Sequence, residues 1–231
     1  MPERRHGVSR LEGFSDAVFG FALTLLVVSL ETPRTNEELW LLVGGLVPFA
    51  LMFAMVCWIW YEHNIFFRRY GLQDPWTVFL NSVLLFVVLF YVYPLKFLTI
   101  ALANEFAGGN AMAGVDSQLL MLLYSGGVLT IFSTFILLHR HAYARREALG
   151  LDTGELLTLR FSTRAHSISA GLAAVSIVLT LAAAWLAPIA GMLYGLMGPL
   201  HAWNGYQSGK AHAKLKRLNQ ILPADAPIAD A

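Results

Sequence analysis

The chain has 231 residues, of which 57% are hydrophobic even before its 19 glycines are counted, and only 13% are charged. A soluble domain has about 45–50% apolar residues, glycine included, and about 25% charged ones. One core of this size cannot bury so much apolar surface, so the composition predicts an integral membrane protein and excludes a disordered or fibrous chain. The net charge of +1 predicts no general attraction to nucleic acid, and a single cysteine excludes an intrachain disulfide or a cysteine zinc site.

The apolar runs of the sequence predict six transmembrane helices. A helix needs about 20 apolar residues, at a rise of about 1.5 Å each, to cross the hydrocarbon core. The first run carries Asp16 near its beginning and is not followed by a small-residue cleavage site, so we interpret it as a retained span rather than a signal peptide. The predicted spans are residues 13–31, 39–61, 76–95, 118–138 and a long run over 166–206 that is divided in two.

The division of the last run rests on its length and on the distribution of charge. As one helix the run would measure about 60 Å, twice the thickness of the hydrocarbon core. Pro188, followed by Gly191, offers a place for a reversal. With six spans and a cytoplasmic N-terminus, only Arg34 and Lys96 of the 16 Lys and Arg lie outside. This bias is typical of cytoplasmic segments, so both termini are predicted to be cytoplasmic.

The segments between the spans are predicted from composition. An outer loop over 101–117 is rich in Gly and Ala, and an inner loop over 139–165 is basic. We expect the inner loop to continue the fourth helix past the membrane and to present a solvated, positive, lipid-facing surface. Residues 1–222 are predicted to form one six-span transmembrane domain. The tail over 223–231, rich in Pro, Ala and Asp, is predicted to be disordered.

The start of the first helix carries several polar residues. The pattern Ser9-x-x-Glu12 is a capping box, which predicts the beginning of a helix there. A carboxylate such as Asp16 at the edge of a span costs a few kcal/mol unless it is paired or hydrated. Gly13 and Gly20 share its face, so we expect a neighbouring helix to approach closely and to supply its partners.

The opposite side of the first helix is predicted to be an apolar stripe with one hydroxyl. At 100° per residue, residues three and four positions apart share a face. Periodicity alone leaves open whether such a stripe contacts lipid, packs in a core or lines a pore. The stripe consists of Phe14, Ala17, Phe21, Thr24, Leu25 and Val28.

Residues 10–16, which read Arg-Leu-Glu-Gly-Phe-Ser-Asp, resemble the Arg-x-x-x-Phe-Ser-Asp signature of the transmembrane protein 175 family of potassium channels. The resemblance is to the prokaryotic, single-repeat branch of that family. Residues 24–27 continue the first-helix pattern, and Trp60 and His63 at the end of the second span resemble the family's Trp-x-x-His. Asn81 resembles a residue of its third span.

The resemblance implies an all-α homotetramer with four first helices around one central pore, in the cell membrane. The constriction would be a ring of Phe21, where the family usually has isoleucine or leucine, and the next pore layers would be Thr24, Leu25 and Val28. The family lacks the Thr-Val-Gly-Tyr-Gly filter of ordinary potassium channels, and so does this chain. No cofactor is expected, with K+ as the permeant ion. A structural polar network would contain Arg10, Phe14, Ser15, Asp16, Trp60 and His63.

A proton- or cation-coupled secondary transporter is the alternative function. Transporters usually place charges near the bilayer midplane and use broken helices in repeated halves. Here the ionisable residues lie at the ends of the predicted spans, and no repeat is visible. An enzyme is not expected, because nucleophile-elbow, P-loop and dinucleotide-binding motifs are absent from the sequence. Six of the seven histidines are expected near the inner face, without the spacing of a haem or metal site.

Overall fold

A computed structural model describes residues 7–28, 33–106 and 116–221 of the chain. These residues form helices joined by short connections, which confirms the predicted all-α class. Two short 3-10 turns, Ala184–Leu186 and Leu193–Leu196, flank the seventh helix. The α-helices in this part of the chain are α1 Arg10–Val28, α2 Asn36–Gly44, α3 Leu46–Tyr70, α4 Pro75–Phe106, α5 Ser117–Ala144, α6 Thr153–Ala182, α7 Ala187–Met192 and α8 Met197–Ile221.

Four segments of the described residues are long and apolar enough to cross a membrane. They lie in α3, α4, α5 and α6, and their bounds are Phe49–Tyr70, Pro75–Pro94, Ser117–Ala144 and Thr153–Ala182. The first helix is apolar beyond Asp16 but begins with three charged residues, which are Arg10, Glu12 and Asp16 itself. The arrangement of six spans therefore stays a prediction, and the predicted tail over 223–231 lies outside the described residues.

The second predicted span differs from the structure at both ends. The chain first forms α2, turns at Gly45, and continues as α3 to Tyr70 rather than ending at residue 61. The end is set by Gly71, whose φ of 59° is left-handed and whose N–H donates to the Phe67 carbonyl at 2.8 Å. Glycine commonly ends helices in this way because it has no side chain to clash. The predicted end at residue 61 reflects the decrease in hydropathy at the membrane edge, whereas the helix itself continues to the glycine that ends it.

The inner loop predicted over 139–165 is wrong for most of its length. The fourth predicted helix does continue past residue 138, as α5 to Ala144, but α6 already begins at Thr153. Asp152 and Glu155 form a capping box, with bonds of 2.7 and 2.9 Å between each backbone N–H and the other side chain. The basic residues after Thr153 therefore lie on the first turns of a helix. The Asp-x-x-Glu pattern is present in the sequence, but the loop was predicted from its composition and not from this pattern.

The chain reverses over residues 183–186, just before Pro188. Ala183 is extended, and Pro188 occupies the first turn of α7, where the N–H that proline lacks would have no helical partner. The returning segment then runs antiparallel to α6. Three close polar pairs mark this return: His201–Ser169 at 2.9 Å, Asn204–Phe161 at 3.0 Å and His212–Thr158 at 3.0 Å.

The connection between α3 and α4 is held by Asp74. Its carboxylate accepts bonds from the Thr77 hydroxyl at 2.8 Å and from His141 Nε2 at 2.9 Å, and it lies 3.9 Å from Arg145. Burial raises the pKa of Asp74, but the hydrogen bonds from His141 and Thr77 outweigh it and lower the pKa to about 2. The ionised side chain thus caps α4 and ties its start to the end of α5.

Candidate functional site: the first helix and its polar network

The first helix begins as the sequence predicts. The Ser9 N–H donates to Glu12 Oε2 at 2.7 Å, and the Glu12 N–H donates to Ser9 Oγ at 3.2 Å. These reciprocal bonds satisfy two of the backbone donors that are left without partners at a helix start. The capping box is confirmed, and α1 starts at Arg10.

The two faces of α1 have different surroundings. The packed face consists of Ser15, Phe19, Ala22 and Leu26, which are all 2% exposed or less. These positions recur every three or four residues, as one face of a helix requires. The other face, which we call the open face, is not covered by the described residues of this chain. Its members are Gly13, Phe14, Ala17, Gly20, Phe21, Thr24 and Val27.

Most of the predicted stripe lies on the open face. Phe21 is 57% exposed, and Thr24 is also exposed. The Thr24 hydroxyl donates to the Gly20 carbonyl at 2.6 Å, so its oxygen lone pairs remain available to another group. Leu25 is partly buried and packs against the core, so it lies at the edge of the stripe. The side chain of Val28 lies outside the described residues.

The packed face of α1 joins a buried chain of hydrogen bonds. Asn81 Nδ2 donates to Ser15 Oγ at 2.9 Å, and Ser15 in turn donates to the Leu11 carbonyl at 2.8 Å. His63 Nε2 lies 2.8 Å from Asn81 Oδ1. Because that amide oxygen can only accept, the His63 proton is on Nε2. The chain links α1, α4 and α3 through side chains that are 1% exposed or less.

A second contact joins α1 to α3 nearer the surface. The indole N–H of Trp60 donates to Asp16 Oδ1 at 2.8 Å, and Asp16 is half-buried. Arg10 and Phe14, which were expected in the same network, are exposed at the start of the helix. Neither forms a hydrogen bond or ion pair with another described side chain. The structure thus places Ser15 and His63 in one contact and Asp16 and Trp60 in another, and leaves Arg10 and Phe14 apart.

Asn81 is the network residue that the predicted site set omits. It lies inside an apolar run, where an amide needs partners because the surroundings offer no water. An amide inside an apolar run was the available signal, although the sequence could not identify Ser15 and His63 as its partners.

The predicted approach of a helix to Gly13 and Gly20 is wrong within this chain. A Cβ atom added at either glycine would have no described atom within 4 Å beyond its own helix. Both glycines lie on the open face, whereas Ser15 provides the close contact with α4.

Three of the histidines are buried rather than interfacial. His63, His139 and His166 are 1–3% exposed and lie among phenylalanine rings. The ring centroids of His139 and His166 are 4.9 Å apart, and His166 Nε2 lies 3.7 Å from Glu62 Oε2. Within the described ranges, no three His, Cys, Asp or Glu side chains are placed to hold a metal ion. These rings are part of the packing between α3, α5 and α6.

Comparison with known proteins matches this architecture. Residues 10–92 match the family described as endosomal/lysosomal potassium channel TMEM175. A potassium channel of Marivirga tractuosa is 37% identical over an alignment of 222 residues, which covers 90% of this chain and 90% of that protein. A potassium channel of Streptomyces collinus is 27% identical over 182 residues, which cover 75% of this chain and 86% of the relative.

A solved structure gives the same result. The crystal structure of a variant of the potassium channel MtTMEM175, in complex with a nanobody–MBP fusion, matches with a TM-score of 0.79 and 36% sequence identity. The match covers 90% of this chain and 97% of that chain, so it includes the helices on both sides of the polar network. Because both the sequence and the fold agree over nine-tenths of their lengths, the resemblance seen in the first helix is confirmed, and the chain belongs to the TMEM175 family.

Proposed function

We propose that four copies of this chain form a potassium channel whose central pore is lined by α1. The family and the relatives reported above are ion channels, so the chain is a channel protein and not an enzyme. The comparisons give no support to the carrier alternative. The proposal includes no cofactor, and K+ is the permeant ion.

The open face of α1 is the observation that carries the proposal. The helix is held from one side only, by Ser15, Phe19 and Leu26 and by the contacts of Asp16. Gly13, Ala17, Gly20 and Thr24 recur on the open face at helical spacing, and small residues of this kind let helices approach closely in a membrane. An identical helix from another subunit can use this surface, whereas lipid has no preference for small side chains.

Phe21 forms the constriction of the proposed pore. It is 57% exposed on the open face, next to the small residues. Four phenyl rings around one axis exclude water, and a cation crossing such a ring loses hydration without carbonyl replacement. Leu25 and Val28 add further apolar layers. The pore therefore conducts weakly unless the four helices splay or rotate.

Thr24 is the polar layer of the proposed pore. Its hydroxyl hydrogen is already used by the Gly20 carbonyl, so the oxygen presents lone pairs rather than a donor. Four such oxygens replace part of the hydration shell of a cation. Thr24→Val should therefore reduce the preference for K+ over Na+, and Thr24→Ser should keep it.

The proposed topology has six spans with both termini on the cytoplasmic side of the cell membrane. The first span is α1, and the second is α2 together with α3. The next three spans are α4, α5 and α6, and the sixth is the returning segment of α7 and α8. The positive-inside bias supports this orientation, since only Arg34 and Lys96 are assigned to the outer side. Reporter fusions at the C-terminus test it, and a C-terminus that is active only on the outside would overturn the sixth span.

The pore assignment is tested by flux of K+ into liposomes that contain the purified full-length protein. Phe21→Ala should raise the flux by at least about tenfold, which corresponds to a fall of about 1.4 kcal/mol in the barrier. Phe86→Ala is the matched control, because Phe86 is also an exposed phenylalanine, 69% exposed, but belongs to α4. Native mass spectrometry should show four subunits for each variant. Flux that responds to Phe86→Ala and ignores Phe21→Ala would mean that α1 does not line the pore.

A further inference from the structure

A large cavity lies between α5, α6 and α8, away from α1 and its polar network. Its volume is about 1540 Å³, and it opens on the basic end of the bundle. The four basic side chains in its wall are accompanied by His139, Tyr143, several leucines and small polar residues, and by no carboxylate among the described residues. The basic side chains are Arg140, Arg160, Arg164 and Lys214.

The four cations of the cavity are exposed and have no acidic partner among the described residues. Within the described residues, none of them forms an ion pair with a carboxylate. Arg145 and Arg146 differ, since they lie 3.9 Å from Asp74 and 3.2 Å from Glu147. The cavity therefore concentrates positive charge that the described part of the chain does not neutralise, and such a cluster attracts an anion.

The length of the helices places the cations at the level of lipid headgroups. The 30 residues of α6 measure about 45 Å, whereas the hydrocarbon core is about 30 Å thick. Counted from Ala182 at the opposite end, about 20 residues fill the core, which places Arg160 at the headgroup level and Arg164 at its edge. The same count from Ser117 along α5 places Arg140 at that level. Lys214 follows, because its neighbour Leu215 lies beside Gly154.

We propose that this cavity binds an anionic phospholipid of the leaflet at the basic end of the bundle. The phosphodiester accepts hydrogen bonds from Arg160, Arg164, Arg140 and Lys214, and the acyl chains extend from there into the hydrocarbon core. Guanidinium groups suit this ligand because they bind phosphate oxygens in pairs. The bound lipid connects α8 to α5 and α6. The site depends on the chain crossing the bilayer and not on ion conduction.

The test uses purified full-length protein in mild detergent, with bound lipid counted by native mass spectrometry. Phosphatidylglycerol should bind at one molecule per subunit and more tightly than phosphatidylcholine of the same chain length. The variant Arg160→Gln with Lys214→Gln should weaken phosphatidylglycerol binding roughly 30-fold, since each basic residue near an anionic headgroup contributes about a factor of five. Phosphatidylcholine binding should not change.

The control pair is Lys216→Gln with Arg217→Gln, which removes the same charge from α8 outside the cavity. It should change phosphatidylglycerol binding by less than about twofold, because distant exposed charges are screened by salt. Both variants are checked for wild-type oligomer mass and helix content. Equal losses in the two pairs would mean a diffuse basic surface, and equal binding of the two lipids would exclude headgroup recognition. Competition by glycerol 1-phosphate as strong as by phosphatidylglycerol would mean a site for a free phosphate. Each of these results overturns the proposal.

Discussion

Two parts of this bundle, α1 with α3 and α4 and the helices around α5, are held together internally by different contacts. We call these parts the two halves. Between α1, α3 and α4 the contacts are directed hydrogen bonds, in which Asn81 joins Ser15 to His63. Between α4 and α5 the contact depends on Gly127, which lies directly under the ring of Tyr91. Lipid tails are as apolar as the helices themselves, so hydrophobicity alone does not select one helix partner over another. Each half therefore needs a source of specificity. The first relies on hydrogen bonds between side chains, and the second combines close packing at Gly127 with the bond of the Tyr91 hydroxyl to the Leu123 carbonyl.

The directed bonds explain how α1 is held by one of its faces only. Directed bonds hold α1 through a few side chains on one face, which leaves Phe21 and Thr24 open for contacts outside the chain. Close packing requires large matched surfaces, and α5 is accordingly surrounded by α4, α6 and α7. The helix that lines the proposed pore is thus held by few packing contacts within its own chain.

The largest expected effect comes from adding a methyl group in the close-packed half. A Cβ at Gly127 would overlap Cε2 of Tyr91, so the ring must move and lose its bond to the Leu123 carbonyl at 2.7 Å. Gly127→Ala should therefore destabilise the protein by about 3 kcal/mol or more, from overpacking and a lost hydrogen bond. Thermal unfolding in detergent, followed by circular dichroism, measures the change.

Gly126 provides the matched control for that substitution. It is the neighbouring residue on α5, and an added Cβ there meets no described atom within 4 Å beyond its own helix. Gly126→Ala should be neutral or slightly stabilising, by up to about 1 kcal/mol of helix propensity. Equal losses in the two variants would show that this glycine pair acts through backbone flexibility rather than through packing.

The second effect tests the directed bonds of the other half. Asn81→Leu removes two buried hydrogen bonds and leaves the polar groups of Ser15 and His63 with one partner fewer each. We expect the free energy of unfolding to decrease by about 2–3 kcal/mol, which is the usual cost of burying unpaired polar groups. Ser82→Ala is the control, since Ser82 is exposed and donates only to the Val78 carbonyl of its own helix. An Asn81→Leu protein as stable as Ser82→Ala would show that packing alone holds α1.

The sequence predicts local signals well and partners between helices poorly. The capping box at Ser9 and Glu12 sets the start of α1 because both residues lie within one turn. The ends of helices at Gly71 and Asp152 were missed, since hydropathy reports contact with lipid and not the hydrogen bonds that begin or end a helix. Local reading of caps would have corrected both.

The same limit applies to the site. Helical periodicity correctly separates Asp16 from Phe21, because the angle between two residues depends only on their spacing. It cannot say which neighbour covers each face, and so Gly13 and Gly20 were assigned to the packed side although they are open. The role of Asn81 depends on residues distant in sequence, which no local pattern contains.

A smaller effect separates the two contacts of α1. Trp60→Phe removes the indole donor to Asp16. We expect the protein's stability to decrease by about 1.5 kcal/mol, as for the loss of a partly exposed hydrogen bond to a charged group. Asp16→Asn keeps an oxygen that can accept from Trp60, so it should cost less. The fraction of intact oligomer in rising detergent measures both. Normal oligomers with altered ion selectivity in Asp16→Asn would instead mean that Asp16 lines the pore.

The smallest expected effect concerns the tie between the two halves at Asp74. Its pKa in the folded protein is about 2, below the ordinary value of 3.8, because His141 and Thr77 donate to the carboxylate. A carboxyl group with a lowered pKa stabilises the folded state fully above its unfolded value and loses this contribution as the pH falls through the folded value. The stability should therefore decrease between about pH 4 and pH 2. The contribution is about 1 kcal/mol or less, since water at the membrane surface screens the pair. Asp74→Asn should lower the unfolding temperature at neutral pH and flatten the dependence of stability on pH in that window.

Asp116→Asn is the control for this prediction. Asp116 caps α5 by accepting bonds from the Gln118 and Leu119 N–H groups at 3.0 Å, and it has no histidine partner in the described chain. Its replacement should leave the decrease between about pH 4 and pH 2 in place. If Asp74→Asn followed the wild-type curve throughout, the contact with His141 would contribute nothing to stability, and the two halves would be joined by packing alone.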